Sequence, residues 1–423
     1  MTMMKSSNTE WLGDIPADWN IAQIGNYYEL RNKKVSDYDF MPLSVTMKGI
    51  VPQLASAAKS DDHSNRKLVR KGDFVINSRS DRRGSCGISP LDGSVSLINT
   101  VMEPRGEMNP QYYNWLFHTE QFADEFYKWG HGIVDDLWTT HWQEMKKILI
   151  VVPSLDEQQA IAKYLDNTCS KIDAIIAEEK VSVDEYKDMK QSVIFEAVTN
   201  GLNKNVAMKD SGVPEIGIIP EHWNVKKVKY IGDFFFKGKG ISKECVREDG
   251  NIHCIRYGEI YSKYNGVIKS CKTLTNLELI SSPTYISKGD ILFAGTGELV
   301  EEIGKKVVYM GDDPCLVGGD IIVLRHSQNP VFFNYTLNSY GSQAQKSKGK
   351  AKLKVVHISS SDIGNLKIAI PPMEEQCEIA SYLEDRCKTM DDIIEDKKAL
   401  ISDLEAYKKS LIYEVVTGKR RVV

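Results

Sequence analysis

The chain contains one design twice. VVPSLDEQQAIAKYLDNTCSKIDAIIAEEK, from Val151, aligns without gaps with AIPPMEEQCEIASYLEDRCKTMDDIIEDKK, from Ala369, at a constant offset of 218. About 18 of the 51 positions from 151 to 201 are identical, among them Glu157/Glu375, Gln158/Gln376, Leu165/Leu383 and Thr199/Thr417. A repeat this long constrains the architecture first, because both copies must bury the same pattern of side chains. Shorter pairs lie upstream in the same order. Gly13, Ile15, Pro16 and Trp19 match Gly217, Ile219, Pro220 and Trp223. KGDFVINSR from Lys71 matches KGDILFAGT from Lys288, and NPQYYN from Asn109 matches NPVFFN from Asn329. The offset drifts from 204 to 220, so the copies have related ends and divergent middles.

The repeated ends read as long helices. Ser154 with Glu157 forms a capping box, and Pro372 followed by Glu374 and Glu375 is a proline-and-acid helix start. Apolar residues recur every three and four positions through Leu165, Ile172, Ile176, Val183 and Tyr186. The second copy gives Leu383, Met390, Ile394, Ile401 and Leu404. That spacing makes a heptad seam by which the two helices pair as a coiled coil. The middles carry short β-branched runs such as FVINSR, DILFAGT and DIIVLRH, punctuated by glycine, and read as α+β globules. The expected partition is a globule over 1–153, a helix over 154–200 and a linker over 201–214. A second globule follows over 215–371, a second helix over 372–418 and a basic tail over 419–423. The fold class is thus α+β, with two pseudo-repeated α/β domains joined by two long helices.

Charge separates the parts. The chain's net charge is −4, yet residues 154–199 carry −5 and residues 372–417 carry −6, leaving +7 elsewhere. Basic globules suit a polyanion, and acidic helices suit water or protein partners. In the first middle, Arg66, Lys67 and Arg70 precede a strand, and Arg79, Arg82 and Arg83 follow it in SRSDRRGSCG. In the second, QKSKGKAKLK holds Lys346, Lys348, Lys350, Lys352 and Lys354. Guanidinium forks on such loops meet phosphates or guanine edges, and lysines meet the backbone of a nucleic acid. Four tryptophans, Trp115, Trp129, Trp138 and Trp142, crowd the first middle and read mainly as core.

Other chemistry is poorly supported. FAGTG at Phe293 and NPVFF at Asn329 suggest the S-adenosylmethionine loop and the adenine grip of a methyltransferase. The glycines, however, occur in one copy only, and the NP pair occurs in both without the second proline. No phosphate-binding G-x-x-x-x-G-K-[ST] occurs. The eight cysteines form no C-x-x-C pair, which argues against a structural metal and reads as reduced cytoplasmic thiols. No apolar run is long enough to span a membrane.

This organisation resembles the specificity subunits of type I restriction–modification systems. The carriers are GDIPADW with GIIPEHW, the paired KGD strand openings, and PSLDEQQAIAKYL with PPMEEQCEIASYL, in the family's order over nearly the whole chain. The resemblance implies two target-recognition domains and an antiparallel coiled coil. It implies a chain that binds double-stranded DNA and catalyses nothing itself. Two methyltransferase subunits and motor–nuclease restriction subunits would assemble around it. S-adenosylmethionine, ATP and magnesium would be used by those partners, with no cofactor held by this chain. Recognition domains of the family vary too much for base-reading residues to carry over, so the site residues above rest on charge and placement. An autonomous DNA adenine methyltransferase and a coiled-coil scaffold without a DNA role remain the alternatives.

Overall fold

The computed structural model describes residues 3–55, 63–79, 82–132, 138–297, 303–348 and 356–422. It divides into two compact units, residues 1–180 with 398–423, and residues 181–397. The two long helices, Leu155–Asn200 and Met373–Val416, are each shared between the units. The linear partition of the sequence does not show this sharing.

Within each unit the two helices run antiparallel. In the first, Lys408 Nζ bonds Asp173 at 2.6 Å and Lys180 Nζ bonds Glu405 at 3.1 Å. In the second, Lys190 Nζ bonds Asp391 at 2.6 Å, and Lys397 lies 5.9 Å from the centre of the Tyr186 ring. Rising numbers on one helix meet falling numbers on the other. Exposed ion pairs of this kind contribute about 0.2–1 kcal/mol each, so they fix register more than stability. Burial of the seam supplies the stability. Leu165, Ile172 and Ile176 share a core with Leu411 and Val415, and Ile401 and Leu404 pack against it. In the second unit Leu383 joins Ile194, Ala197 and Val198. Val183, Met390 and Ile394 are buried too, and Tyr186 is half-buried.

The globular parts repeat a sheet register as well as a sequence. In the first unit Phe74–Asn77 is flanked by Cys86–Ile88 and Asn99–Pro104, with Tyr28–Leu30 at the far edge. In the second, Ile291–Ala294 lies between Ile321–His326 and Lys306–Tyr309 in a five-stranded sheet. Asn77 pairs with Asn99 in one, and Ala294 pairs with Ile321 in the other. The KGD openings place Asp73 and Asp290 at the heads of these strands. Both are buried and each accepts a guanidinium, Asp73 from Arg31 and Asp290 from Arg325. The NP pairs are helix starts. Asn109 and Asn329 are N-caps whose side chains accept backbone N–H groups, and the prolines occupy the first helical turn.

The repeated EQ pair is what ties each long helix to its globule. Glu157 accepts Trp19 Nε1 at 3.2 Å, and Glu375 accepts Trp223 Nε1 at 3.0 Å. Gln158 donates to Pro153 O at 3.0 Å and accepts from Asn109 N at 2.9 Å. Gln376 donates to Pro371 O and accepts from Asn329 N, both at 3.0 Å. Each helix also ends on such a tryptophan. Gly201 sits against Trp223 and Gly418 against Trp19, with φ of +71° and +74°. A Cβ at either would meet the indole at 3.1 or 2.9 Å in a left-handed conformation that side-chain-bearing residues avoid. The first helix thus ends on the opening of the second repeat. The second helix ends on the opening of the first.

The basic tail is seated, not free. Lys419 donates to Leu12 O and, at 3.0 Å, to Asp14 O. Arg421 reaches Glu157, bonds Asp18 at 2.6 Å and lies over the Trp19 ring.

Candidate nucleic-acid interface

The strand Phe74–Asn77 delivers its C-terminal end to a concavity of about 760 Å³ in the first unit. One side is lined by the strand Leu43–Thr46 and the exposed turn residue Met47 of the hairpin that pairs Leu43–Thr46 with Gly49–Pro52. Thr46 Oγ1 closes that turn on Gly49 O at 2.8 Å. The opposite wall carries Asn77, Arg79, Arg82, Arg83 and Asn99, with Arg66 behind them. Four arginines and no carboxylate line this space among the described residues. A hollow of that composition, with low-dielectric walls, concentrates positive potential. Asn99 Oδ1 is buried there and has no partner among the described residues.

The arginines differ in freedom. Arg66 is buried, donating Nε to Ser94 Oγ at 2.8 Å and Nη2 to Ser94 O at 3.2 Å. Burial lowers its proton affinity. Its guanidinium therefore braces the wall, a correction to its expected role as a surface contact. Arg83 pairs with Asp124 and lies 5.6 Å from the Tyr127 ring centre. Arg79 N is held by Asn77 Oδ1 at 3.0 Å, and Arg79 O accepts Tyr127 OH at 2.8 Å, which leaves its side chain as the adjustable part. Arg82 is exposed on the rim. Arg70 lies elsewhere, paired with Asp92 at 2.5 Å and stacked over Phe40.

A second hollow of about 450 Å³ shares Arg79 and Ile98 with the first. It adds Lys67, Thr139, His141 and Trp142. Lys67 Nζ donates to Asn99 O at 2.7 Å, and burial lowers its pKa. Of the four clustered tryptophans, three turn their indole N–H to protein partners: Trp115 to Asp166, Trp129 to Glu125 and Trp138 to Tyr127 O. Trp142 lines the hollow, which the sequence had not separated from the others.

The second unit is equipped differently. Equivalent strand positions hold Ala294 for Asn77, Thr296 for Arg79 and Ile321 for Asn99. Beside Thr296 sit Tyr261, whose OH donates to Thr296 O at 2.8 Å, and His357, paired to Thr296 by strand and side chain. Lys305 lies over the Tyr261 ring at 5.3 Å. Sequence reasoning missed these three because they are scattered singly along the chain, and the fold brings them to Thr296 from a helix, a strand and the residue before a strand.

The lysine cluster does not stand as one surface. Lys346 is buried in the helix Tyr340–Ser347, beside buried Lys306, which donates to Asn338 Oδ1 at 2.8 Å. Burial pushes the Lys346 pKa down to about 8. The expected phosphate contact at Lys346 is therefore corrected: its amine faces the interior. Lys348 is exposed and paired with Glu215 at 3.2 Å. Lys350, Lys352 and Lys354 lie outside the described residues. FAGTG from Phe293 is a strand end, a bend at Gly295, whose N donates to Asp320 O at 2.8 Å, and the short strand Thr296–Gly297, which pairs with Val356–His357. No cluster of three metal-ligating side chains occurs among the described residues, and no described helix is long and apolar enough to cross a membrane.

Comparison with known proteins agrees with this architecture. Residues 220–403 match the family described as type I restriction modification DNA specificity domain. The type I restriction enzyme MjaVIII specificity subunit of Methanocaldococcus jannaschii is 25% identical, over 96% of this chain and 94% of the relative. The putative type I restriction enzyme MjaX specificity subunit of the same organism is 22% identical, over 97% and 96%. Two solved structures share the fold. One comes from work on complex assembly and conformational transition of the type I R-M system, at 14% identity and a TM-score of 0.73, covering 96% of this chain and 99% of that one. The other is the HsdS subunit of Thermoanaerobacter tengcongensis, at 17% identity and a TM-score of 0.53, covering 96% and 98%.

Proposed function

We infer that this chain, a specificity subunit of the type I restriction–modification kind, reads a bipartite DNA target, one half-site for each recognition domain. The observation that carries the reading is the arginine-lined concavity of the first unit, with no carboxylate among its described lining residues. A two-stranded ribbon of the dimensions of the 43–52 hairpin fits a major groove, and arginines beside it suit guanine edges and phosphates. The corresponding strands of the second unit carry other side chains, so the two half-sites are unlike words.

The long helices serve as spacer and as docking surface for methyltransferase subunits. At ~1.5 Å per residue a 46-residue helix is about 69 Å long. The helix pair is taken as what sets an unread gap between two short words. The chain itself carries out no chemistry; methyl transfer and cleavage belong to partner subunits that use S-adenosylmethionine, ATP and magnesium. The autonomous methyltransferase reading is disfavoured by the structural roles of both suggestive motifs, one a helix cap and the other two strand pieces joined by a bend at Gly295. The test is methylation mapping of DNA from cells expressing the system with Arg79→Ala and Arg82→Ala. Loss or relaxation of one half of the methylated word, with the other half and the gap unchanged, is expected. Loss of all methylation with the complex still assembled, or an unchanged word, refutes the assignment.

A further inference from the structure

Cys271 and Cys315 form a thiol pair that no role described so far uses. Their sulfurs are 2.9 Å apart, closer than unbonded sulfurs ordinarily rest, and both residues are buried. Cys315 opens the strand Cys315–Val317, and Cys271 lies just before the strand Thr273–Thr275. A third cysteine, Cys254, sits on the intervening strand Ile252–Ile255 but faces a different core. Cys254 packs with Ile280 and Leu316, whereas Cys271 and Cys315 pack with Tyr264 and Tyr309. The alternation of strand side chains thus leaves Cys271 one sulfur partner, not two.

We propose that Cys271 and Cys315 are a reversible disulfide site in the second recognition unit, oxidised by a peroxide and reduced by a dithiol. Cys271 is the entry point for the oxidant, being 7% exposed against 0% for Cys315. Its thiolate attacks one peroxide oxygen; an S–O bond forms as the O–O bond breaks, leaving a sulfenic acid and, after protonation, water. The Cys315 sulfur then displaces the sulfenic oxygen. An S–S bond forms as the S–O bond breaks, and the Cys315 proton leaves with the oxygen as a second water. Two thiols are oxidised by one electron each, and hydrogen peroxide is reduced by two. Cys315 is suited to the second step only. Its bond to the Cys271 sulfur and its burial raise its pKa strongly, so it does not meet the oxidant as a free thiolate.

The cross-link would close a loop with |i−j| of 44, which holds two strands of the five-stranded sheet, Ile291–Ala294 and Lys306–Tyr309. Closing a loop of that size restricts the unfolded chain more than the folded one. The expected result is a melting temperature for the second unit raised by roughly 5–15 °C, an upper-range figure since strain can subtract from it.

The test uses the purified full-length chain, treated with hydrogen peroxide, then alkylated after denaturation and mapped by peptide mass spectrometry. The proposal expects a peptide joining Cys271 to Cys315, lost on treatment with dithiothreitol, and the rise in melting temperature. Cys271→Ala and Cys315→Ala should each abolish both effects. Should either variant fold poorly, the map of the unmodified sequence decides alone. Both thiols remaining alkylatable while exposed Cys377 is oxidised would overturn the proposal. So would Cys271 joined to Cys254 or to a second chain, or Cys271 driven to sulfinic acid with Cys315 free.

Discussion

Replacing Gln158 by leucine isolates the contact that joins the first long helix to its globule. The side chain is buried, and leucine nearly conserves its volume, so the cavity contribution is small. What is lost is polar. Pro153 O loses its side-chain donor in a buried setting, and the half-buried Asn109 N–H loses its acceptor. A stranded buried backbone group costs about 1–3 kcal/mol, and the half-buried one about half as much, giving about 2–4 kcal/mol. For a unit of this size that is a fall of roughly 6–12 °C in melting temperature. Gln376→Leu strands the same two backbone groups, Pro371 O and Asn329 N–H, while its third partner, the Gln328 side chain, can turn to water. The two losses should agree within about 1 kcal/mol, since both remove the same two backbone contacts. Calorimetry gives the magnitudes, and hydrogen exchange gives the location. Gln158→Leu should expose amides of Pro110–Phe117, and Gln376→Leu those of Pro330–Asn338. A loss below about 1 kcal/mol in either variant would show that these glutamines do not clamp helix to globule. Equal loss of protection in both short helices from one substitution would show that the units are not separately held.

Three further outcomes are expected. Arg82→Ala should lower the slope of log affinity against log salt by about 1 if the side chain meets a phosphate; an unchanged slope with altered preference for one base would mark it as a base reader instead. Lys346 has a folded pKa of about 8, below its ordinary 10.5, so between those values the unfolded chain binds more protons and stability rises with pH. Lys346 supplies about 3 kcal/mol of that rise, and buried Lys306, whose pKa is lowered too, adds to it; Lys346→Met should make the rise shallower, and urea midpoints of both proteins that climb in parallel at pH 8, 9 and 10 would show that Lys346 contributes none of it. Arg421→Ala removes charged contacts to Asp18 and Glu157 and should cost about 1.5–3 kcal/mol in the first unit, read as a lowered urea midpoint; no change would mean that the terminal segment is not seated in solution.

Much of this molecule is legible because repeated polar motifs have strong local grammars. The Ser154–Glu157 capping box forms as expected, with Glu157 N donating to Ser154 Oγ at 3.3 Å and Ser154 N to Glu157 Oε2 at 3.2 Å. The seam from Leu165 to Val183 is buried because a heptad spacing has one interpretation. Lysine position is harder to read. QKSKGKAKLK looks like a charged loop, yet Ser339 caps a helix running to Ser347, and Lys346 falls four residues after buried Ser342 on its inner face. The burial of Arg66 is hard to read for a related reason: in a strand, alternation decides which charge faces inward, and RKLV gives no apolar alternation to read. The seated tail has no local signal at all. Its partners, Asp18 and Glu157, lie 403 and 264 residues away in sequence.

The same contrast explains why related ends can carry unrelated middles. The Trp19–Glu157 and Trp223–Glu375 bonds, the paired glutamine clamps and the Asn-Pro helix caps use residues that face one another at the base of each unit. They hold the helix to the globule through groups that must be satisfied when buried, so any change is costly. The far ends of the central strands bear no such obligation. Asn77 and Ala294 end equivalent strands in identical register, and the residues two positions further are Arg79 and Thr296. The backbone fixes where the strand ends, while the side chains presented there are free to differ. A base-reading surface placed at that end can change its word without disturbing the clamp, and one placed at the base could not. The arrangement therefore predicts that exchanging the segment from Asn77 to Asn99 for that of a similar specificity subunit with the same clamp residues changes one half-site only. The glutamine clamps and the melting temperature of the other unit should stay as they were.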